Sequence, residues 1–355
     1  MKTDCTVSRS TLVSTILAGS WRKSDFPSLN LSESQLDEVV PLLYGSGAGA
    51  LGWWRVRSTE LRTNSSAEVL HQAYRLQVLQ SGIHEEKIEK VFSILRRAAI
   101  DAILIKGWAA AGLYPERGLR PYGDIDLVVR PEQYERASSL LASPEANDCW
   151  VDLHKNISEL DDRPLGELFE RSRLHSLGEQ TVRVLSSEDH LALLAVHMLK
   201  HGAWRPLWLC DIGAAIESLS PDFDWSICLG GNRIRSDWIA CAIGLAHDLL
   251  GAETNHIAAM ARTKEVPHWL IQNVRKQWEH PFAGNQAPMN HPVPMAYVLR
   301  HPRTLPEALR QRWPDPILAT VSVNGQFNHL PRLPYQLSNC LARSFRFLFQ
   351  ASAKG

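Results

Sequence analysis

Apolar residues recur at helical spacing through the first hundred positions, condense into short runs near the middle, and return to helical spacing afterwards. The stretch 66–81 sets Val69, Leu70, Ala73 and Tyr74 on one face, and about 84–99 repeats the pattern with Ile88, Val91, Phe92 and Leu95. Spacings of three and four predict two amphipathic helices. Before them, "SESQLDEVVPLLYG" predicts a helix capped by Ser32 or Ser34. "GSGAGALGWW" (45–54) has glycines enough to cradle a phosphate, but its flanks are helical in pattern, so close helix packing is the expected role. "TLVSTILAG" (11–19) contains Ser14 and Thr15 and follows a poorly basic start, which favours a short helix or a mobile tail over a secretion signal.

The middle reads differently. "AILI" (102–105) and "IDLVV" (125–129) have strand length, and "TVRVL" (181–185) is a further strand candidate. "CWVDLH" (149–154) alternates, with Cys149, Val151 and Leu153 on one face and Trp150, Asp152 and His154 on the other. "PEQYERASSLLA" opens with Pro131 at a first-turn position and reads as a helix. From "SSEDHLALLAVHMLKHG" onward helices dominate, with Ser186 or Ser187 as cap. The expected architecture is α+β: a small mixed β-sheet core flanked by N-terminal and C-terminal helical regions. The expected division is a polar segment 1–34, a helical region 35–99, the core 100–190, a helical lobe 191–290 and a proline-rich region 291–355.

Composition narrows the function. The chain has 355 residues, 45% hydrophobic and 21% charged, the profile of an ordinary soluble globular protein. Lys plus Arg (38) equals Asp plus Glu (38), so the net charge is zero. That argues against duplex nucleic acid as a partner, because such binding neutralises many phosphates. Cys5, Cys149, Cys210, Cys228, Cys241 and Cys340 are scattered without a C-x-x-C pair, which reads as reduced thiols of a cytoplasmic protein. No run approaches the length of a membrane span, so no membrane partner is expected.

The candidate chemistry lies in "RPYGDIDLVV" (120–129), where Asp124 and Asp126 stand one residue apart at the mouth of a strand. Residues i and i+2 share a strand face, so the two carboxylates project together while Ile125 enters the core. Asp152, on the polar face of another strand, is placed to converge with them. Such a trio suits Mg²⁺, as one ion or two, with a nucleotide's phosphates completing its shell. A D-x-D pair alone is more often a turn or surface feature; its context sharpens the reading. Upstream, Lys106 and Gly107 join a strand end to a helix start, where a cation, a close backbone and N–H groups favour an anion. The plain alternative is a solvated strand end and a tight turn. Gly123 precedes the acids and admits close backbone approach. Arg120 is placed either to hold a phosphate in bidentate fashion or to neutralise Asp124 or Asp126. Arg117 is expected in solvent.

The run "LIKGWAAAGLYPERGLRPYGDIDLVVRPEQYERA" resembles an uncharacterised nucleotidyltransferase family within the DNA polymerase beta-like superfamily. "WVDLH" resembles its third-acid strand, and "LSSEDHLALLAVHMLKHGAWRPLWLCDIGAAIES" its helical pair after the sheet. The resemblance covers roughly residues 40–290. It implies that Asp124 and Asp126 hold catalytic Mg²⁺. Asp152 then either activates the acceptor hydroxyl or completes a second metal site. Gly107 stands at the nucleotide-binding turn with Lys106 facing the triphosphate of ATP or another NTP. The wider superfamily has Gly-Ser at this turn; here the pair is Gly107-Trp108, which offers no serine hydroxyl.

Other polar residues complete the picture. His190, His197 and His201 fall near one helical face; the last two have metal-ligand spacing but no clear third ligand, so packing or hydrogen bonding is expected. Trp208 and Asp211 follow on the next helix, with Asp211 as an expected partner of His201, and this lobe as a cover for nucleotide or acceptor. His154 either orients Asp152, contacts substrate, or is structural. The leading function is a Mg²⁺-dependent transferase that moves an NMP from an NTP to a hydroxyl on a small molecule, peptide or protein, releasing pyrophosphate. The resemblance makes a peptide or metabolite of a natural-product pathway an attractive acceptor. The alternatives are a catalytically inactive nucleotide-binding or scaffold protein of such a pathway, and a metal-dependent phosphoesterase, which would recruit more histidines near the acids.

Overall fold

The structure, a computed structural model, describes residues 7–255, 257, 265–280 and 300–352. Cys5 and the stretch 281–299, which holds the start of the proline-rich region, lie outside the described residues. Five strands form one mixed sheet: β1 (Ala102–Leu104), β2 (Ile125–Val129), β3 (Val151–His154), β4 (Arg173–Leu177) and β5 (Gln180–Val184), in the order β3-β2-β1-β5-β4. β1 pairs antiparallel with β2 and parallel with β5, β2 pairs parallel with β3, and β4 and β5 form an antiparallel hairpin. Helices flank the sheet on both sides in sequence, an α+β fold.

Strand β4 is the element that sequence pattern does not reveal. Four of its five residues are exposed, so it carries no apolar alternation. Its register comes from β5 through a tight turn in which Gly178 adopts φ +54°.

The helices begin with α1 (Arg9–Leu17), capped by Ser8, which buries Leu12, Val13, Ile16 and Leu17. The apolar stretch near the N-terminus is therefore a packed helix. Next comes α2 (Glu33–Ser46), where Ser32 and Gln35 form a reciprocal capping box. Then α3 (Gly49–Val56) packs its glycines closely: a Cβ on Gly52 would lie 2.9 Å from Leu43 and 3.1 Å from Leu70. The glycine-rich stretch is thus a packing device. The two helices expected over 66–99 are one helix of 33 residues, α4 (Ser65–Arg97). Gly82 was the natural place to break it. Glycine there costs about 1 kcal/mol of helix propensity, and packing at both ends outweighs that. Val69, expected on the apolar face, is 44% exposed.

The sheet separates two hydrophobic cores. On one side Ala102, Leu104, Ile125, Leu127 and Val129 pack with Ile88, Val91, Phe92 and Leu95 from the second half of α4. Ala137 of α6 (Tyr134–Leu141) joins them, after a 3-10 turn at Pro131–Gln133. On the other side Ile103, Ile105 and Val128 face the larger core built by α1 to α3 and the C-terminal helices. The short α5 (Trp108–Ala111) follows β1, and α7 (Leu165–Arg171) precedes β4. After the sheet come α8 (Ser187–Lys200, capped by Ser186), α9 (Pro206–Glu217), α10 (Trp225–Leu229) and α11 (Arg233–Leu250). Asp189 in the first turn of α8 is fully buried and pairs with Arg163 and Arg171, which fastens α7 to the lobe. Further helices span His268–Gln277, Leu305–Arg312, Pro316–Ser322 and Leu333–Ser352. Cys149, Cys210, Cys228 and Cys241 are free thiols. Among the described residues no helix is long and apolar enough to cross a membrane.

The loop that delivers Arg120 to Asp124 is pinned to α4 by Gly118. Its φ is +84°, and a Cβ there would lie 2.7 Å from the backbone nitrogen of Val78. Gly118→Ala is therefore expected to lower unfolding free energy by roughly 2 kcal/mol or more, combining backbone strain with overpacking. Urea denaturation followed by circular dichroism measures it, and an unchanged midpoint would refute the close approach.

Candidate functional site

Strand geometry places the acids. Asp126 pairs in register with Asp152, and Val128 with His154, on neighbouring parallel strands. Ile125 and Leu127 enter the α4 core, so Asp126, Asp152 and His154 share the opposite face of the sheet, together with Asp124 just before β2. Asp126 is buried (6% exposed), whereas Asp124 and Asp152 are exposed.

Burying Asp126 requires positive partners. Lys106 Nζ lies 3.3 Å from Asp126 Oδ1 and 3.8 Å from Glu159 Oε1. His154 Nε2 lies 3.5 Å from Asp126 Oδ1 and 3.3 Å from Asp152 Oδ2. That nitrogen is buried and makes no hydrogen bond with either. Burial alone would raise the Asp126 carboxyl, but His154 and Lys106 outweigh it and hold it below the ordinary value. The Asp126 carboxylate in turn, with Asp152 behind it and against burial, raises His154 above its ordinary value. Asp126, Asp152 and His154 bring one donor atom each within 4.8 Å of one another. An imidazole nitrogen left unbonded between two carboxylates is a donor set that fits a divalent cation, with more nitrogen character than an all-oxygen magnesium site.

A cleft of about 400 Å³ opens between this sheet face and the lobe. Lys106, Gly107, Arg120, Gly123, Asp124, Asp126, His201 and Trp208 all line it, as do Tyr122, His197 and Arg205. Asp152 and His154 are not in its wall; they lie beside Asp126. Gly107, at φ +54°, starts α5, and a Cβ there would meet Tyr122 Cβ at 3.4 Å and Asp124 O at 3.5 Å. Glycine thus lets the two loops of the cleft approach. Since α5 has only four residues, its dipole would add little to the attraction of an anion, and Lys106 is the positive charge at this turn.

Arg120 departs from expectation. Its counter-ion is neither Asp124 nor Asp126 but the fully buried Asp211 of α9. Arg120 Nε donates to Asp211 Oδ1 at 3.2 Å and Oδ2 at 3.3 Å, Nη2 to Oδ2 at 2.9 Å, and Nη1 to Pro121 O at 2.9 Å. Tyr114 donates to Asp211 Oδ1 at 2.8 Å. The expected bond between Asp211 and His201 is not formed: Asp211 stands behind the cleft wall and holds Arg120 in it. His190, also buried, is pushed down to about 4 by burial. Arg117 is exposed and pairs with Glu85.

Two further features bear on the cleft, and the first carries no sequence motif. Glu159, on a 3-10 turn (Ser158–Leu160), is a buried acid. Its Oε1 lies 3.1 Å from His197 Nδ1, and Ser158 donates to Oε2 at 2.8 Å. Burial opposes its ionisation, yet His197, Lys106 and Ser158 together hold its carboxyl far below the ordinary 4.5. The chain Asp126–Lys106–Glu159–His197 thereby links sheet to lobe. The second is an aromatic wall: His197 and His201 rings 4.5 Å apart, Trp208 at 5.2 and 5.3 Å from them, and Trp204 at 5.4 Å from Trp208. The two histidines pack against each other and Trp208, and His197 also hydrogen-bonds Glu159.

Arg120→Met leaves the Asp211 carboxylate buried beside an apolar chain, and should cost about 3–5 kcal/mol; adding Asp211→Leu should recover part of it. A double-mutant cycle in urea measures both, and a cost below 1 kcal/mol for the single change would contradict the pairing. Glu159 gives a pH signature. Its folded value lies below its ordinary 4.5, so its contribution is complete above that pH and is lost as pH falls toward the folded value. Between about pH 5 and 3 the wild type should lose unfolding free energy more steeply than Glu159→Gln, and parallel curves would show that the carboxylate is not so held.

Residues 35–147 and 143–243 match the family described as uncharacterised nucleotidyltransferase. Searches of curated proteins and of solved structures returned no match. The two matched segments run through α2 to α4, the whole D-x-D region, the Asp152 strand and the helices that close the cleft, and on that basis the chain belongs to this nucleotidyltransferase family.

Proposed function

We propose that the protein transfers a nucleoside monophosphate from a nucleoside triphosphate to a hydroxyl of a small molecule, peptide or protein, releasing pyrophosphate. The observation that carries this reading is the shared cleft of Asp124, Asp126, Lys106 and Gly107 in a chain of this family. Asp126, with Asp124 on the cleft side and Asp152 and His154 on the other, would hold the divalent cation, magnesium or a more nitrogen-tolerant ion such as manganese. When bound, that ion supplies charge neutralisation at the α-phosphate. Lys106 and the N–H groups at Gly107 orient the phosphates, and the small space beside Gly107 lets the backbone approach them. Asp152, exposed at the edge of the group, would take part in receiving the acceptor's proton, either directly or through His154. His201 and Trp208 offer an aromatic surface for the base or the acceptor.

One observation favours a second reading, a nucleotide-binding protein without transfer: Lys106 and His154 already neutralise Asp126, so the buried acid needs no ion to be tolerated. Incubation with each nucleotide labelled in its α-phosphate, with Mg²⁺ or Mn²⁺ and candidate acceptors, separates the two. The expected outcome is metal-dependent labelling that falls roughly a hundredfold or more in the folded Asp124→Ala, Asp126→Ala double variant. Labelling that persists in this variant sinks the site assignment, and tight nucleotide binding with no labelling selects the second reading.

A further inference from the structure

The cleft contains three strong cations, and two of them are matched. Lys106 is shared by Asp126 and Glu159, and Arg120 by Asp211. Among the described residues no carboxylate lies within ion-pairing distance of the third, Arg205. Its placement is held by the protein nonetheless. Nε donates to Ser46 O at 2.6 Å, at the C-terminal end of α2. Gly47, at φ +78°, leaves beside that bond a space for Nη2 that any Cβ would fill. Cζ lies 5.9 Å from the Trp208 ring.

Two physical terms act against a cation here: it is half-buried, and it neighbours the Arg120 guanidinium. Burial first, and Arg120 second, push its guanidinium down to about 10, even with Asp211, Tyr114 and Asp124 opposing them. A partial charge on the Ser46 carbonyl does not match a full positive charge. A half-buried charge without a counter-ion is costly, and the cost is relieved when an anion enters. With Nε committed to Ser46, both Nη groups remain for a fork-shaped grip on paired oxygens.

We infer that Arg205 anchors the pyrophosphate end of the nucleotide donor, gripping phosphate oxygens that depart with the leaving group. The inference rests on the nucleotidyltransferase reading and assigns that site a residue from the helical lobe, outside the acid-bearing sheet. A triphosphate carries more negative charge than one divalent ion offsets, while Lys106 and Arg120 are already shared with carboxylates. Arg205 supplies the missing charge from across the cleft.

The test is calorimetric titration of the full chain with inorganic pyrophosphate in Mg²⁺, with a nucleoside monophosphate as control. Arg205→Met should weaken pyrophosphate about tenfold or more and leave the monophosphate within about threefold. Arg205→Lys, which keeps charge but loses the fork, should fall between. Thermal melting separates a binding role from a structural one. Without ligand, Arg205→Met should melt no lower than wild type, whereas Arg120→Met should melt well below it. Pyrophosphate should raise the melting point of wild type and not of Arg205→Met. Unchanged pyrophosphate affinity in Arg205→Met and Arg205→Lys overturns the inference, as does a variant in which only the KM of an anionic acceptor rises. A wild-type chain that binds neither pyrophosphate nor any nucleoside triphosphate overturns the transferase reading with it. A loss of pyrophosphate binding in Arg205→Met upholds the inference even if no acceptor is found.

Discussion

A carboxylate inside a protein must meet a positive partner, and in this chain the partners come from distant segments. Asp211, with no exposed surface, is matched by Arg120 from the loop before β2, 91 residues earlier. Because that loop also presents Gly123 and Asp124, the pair fixes the sheet's acid-bearing edge against α9. The Lys106–Glu159 contact makes a second join, from the end of β1 to the turn beneath α8. The cleft exists between these two joins. Its walls are set by charge pairing as much as by apolar packing, which explains why polar side chains keep fixed positions around an open space.

The parity of the central strands was legible from the sequence alone. Alternation in "CWVDLH" and the D-x-D before an apolar run suffice to put Asp126, Asp152 and His154 on one side, because side-chain direction has a period of two. Caps were legible to within two residues, Ser32 or Ser34 and Ser186 or Ser187, and the structure selects Ser32 and Ser186. Tertiary partners were not legible. Arg120 and Asp211 each have several acceptable neighbours in a one-dimensional reading, and only the fold selects between Asp124, His201 and each other. Glu159 sits in "NISELDD", where nothing distinguishes a buried acid from a solvated one. The edge strand β4 has no core face, and Gly82 looks like a break until packing at both ends of α4 decides otherwise.

The electrostatics of the cleft are uneven. The buried acids Asp126 and Glu159 are matched from within the chain, Asp152 has His154 beside it, and Asp124 is exposed to water. On the opposite wall Arg205 has only a carbonyl. Under the proposed function, a ligand bringing both negative oxygens and an accompanying cation, as a metal-bound polyphosphate does, would suit the space between. Were an ion held there, the imidazole of His154 would widen the range of acceptable metals beyond the hard-oxygen set that the three aspartates alone would favour.

Helix α4 belongs to both hydrophobic cores, its first half lying with Leu43 and α3 and its second half roofing the back of the sheet. A rod of about 50 Å, from 33 residues at 1.5 Å each, does not fold at its middle without losing contacts on both sides. The helical region and the sheet are consequently not separable modules. A chain begun at residue 100 would bare Leu104, Ile125, Leu127 and Val129 to water, so the acid-bearing sheet depends on this beam for its back wall.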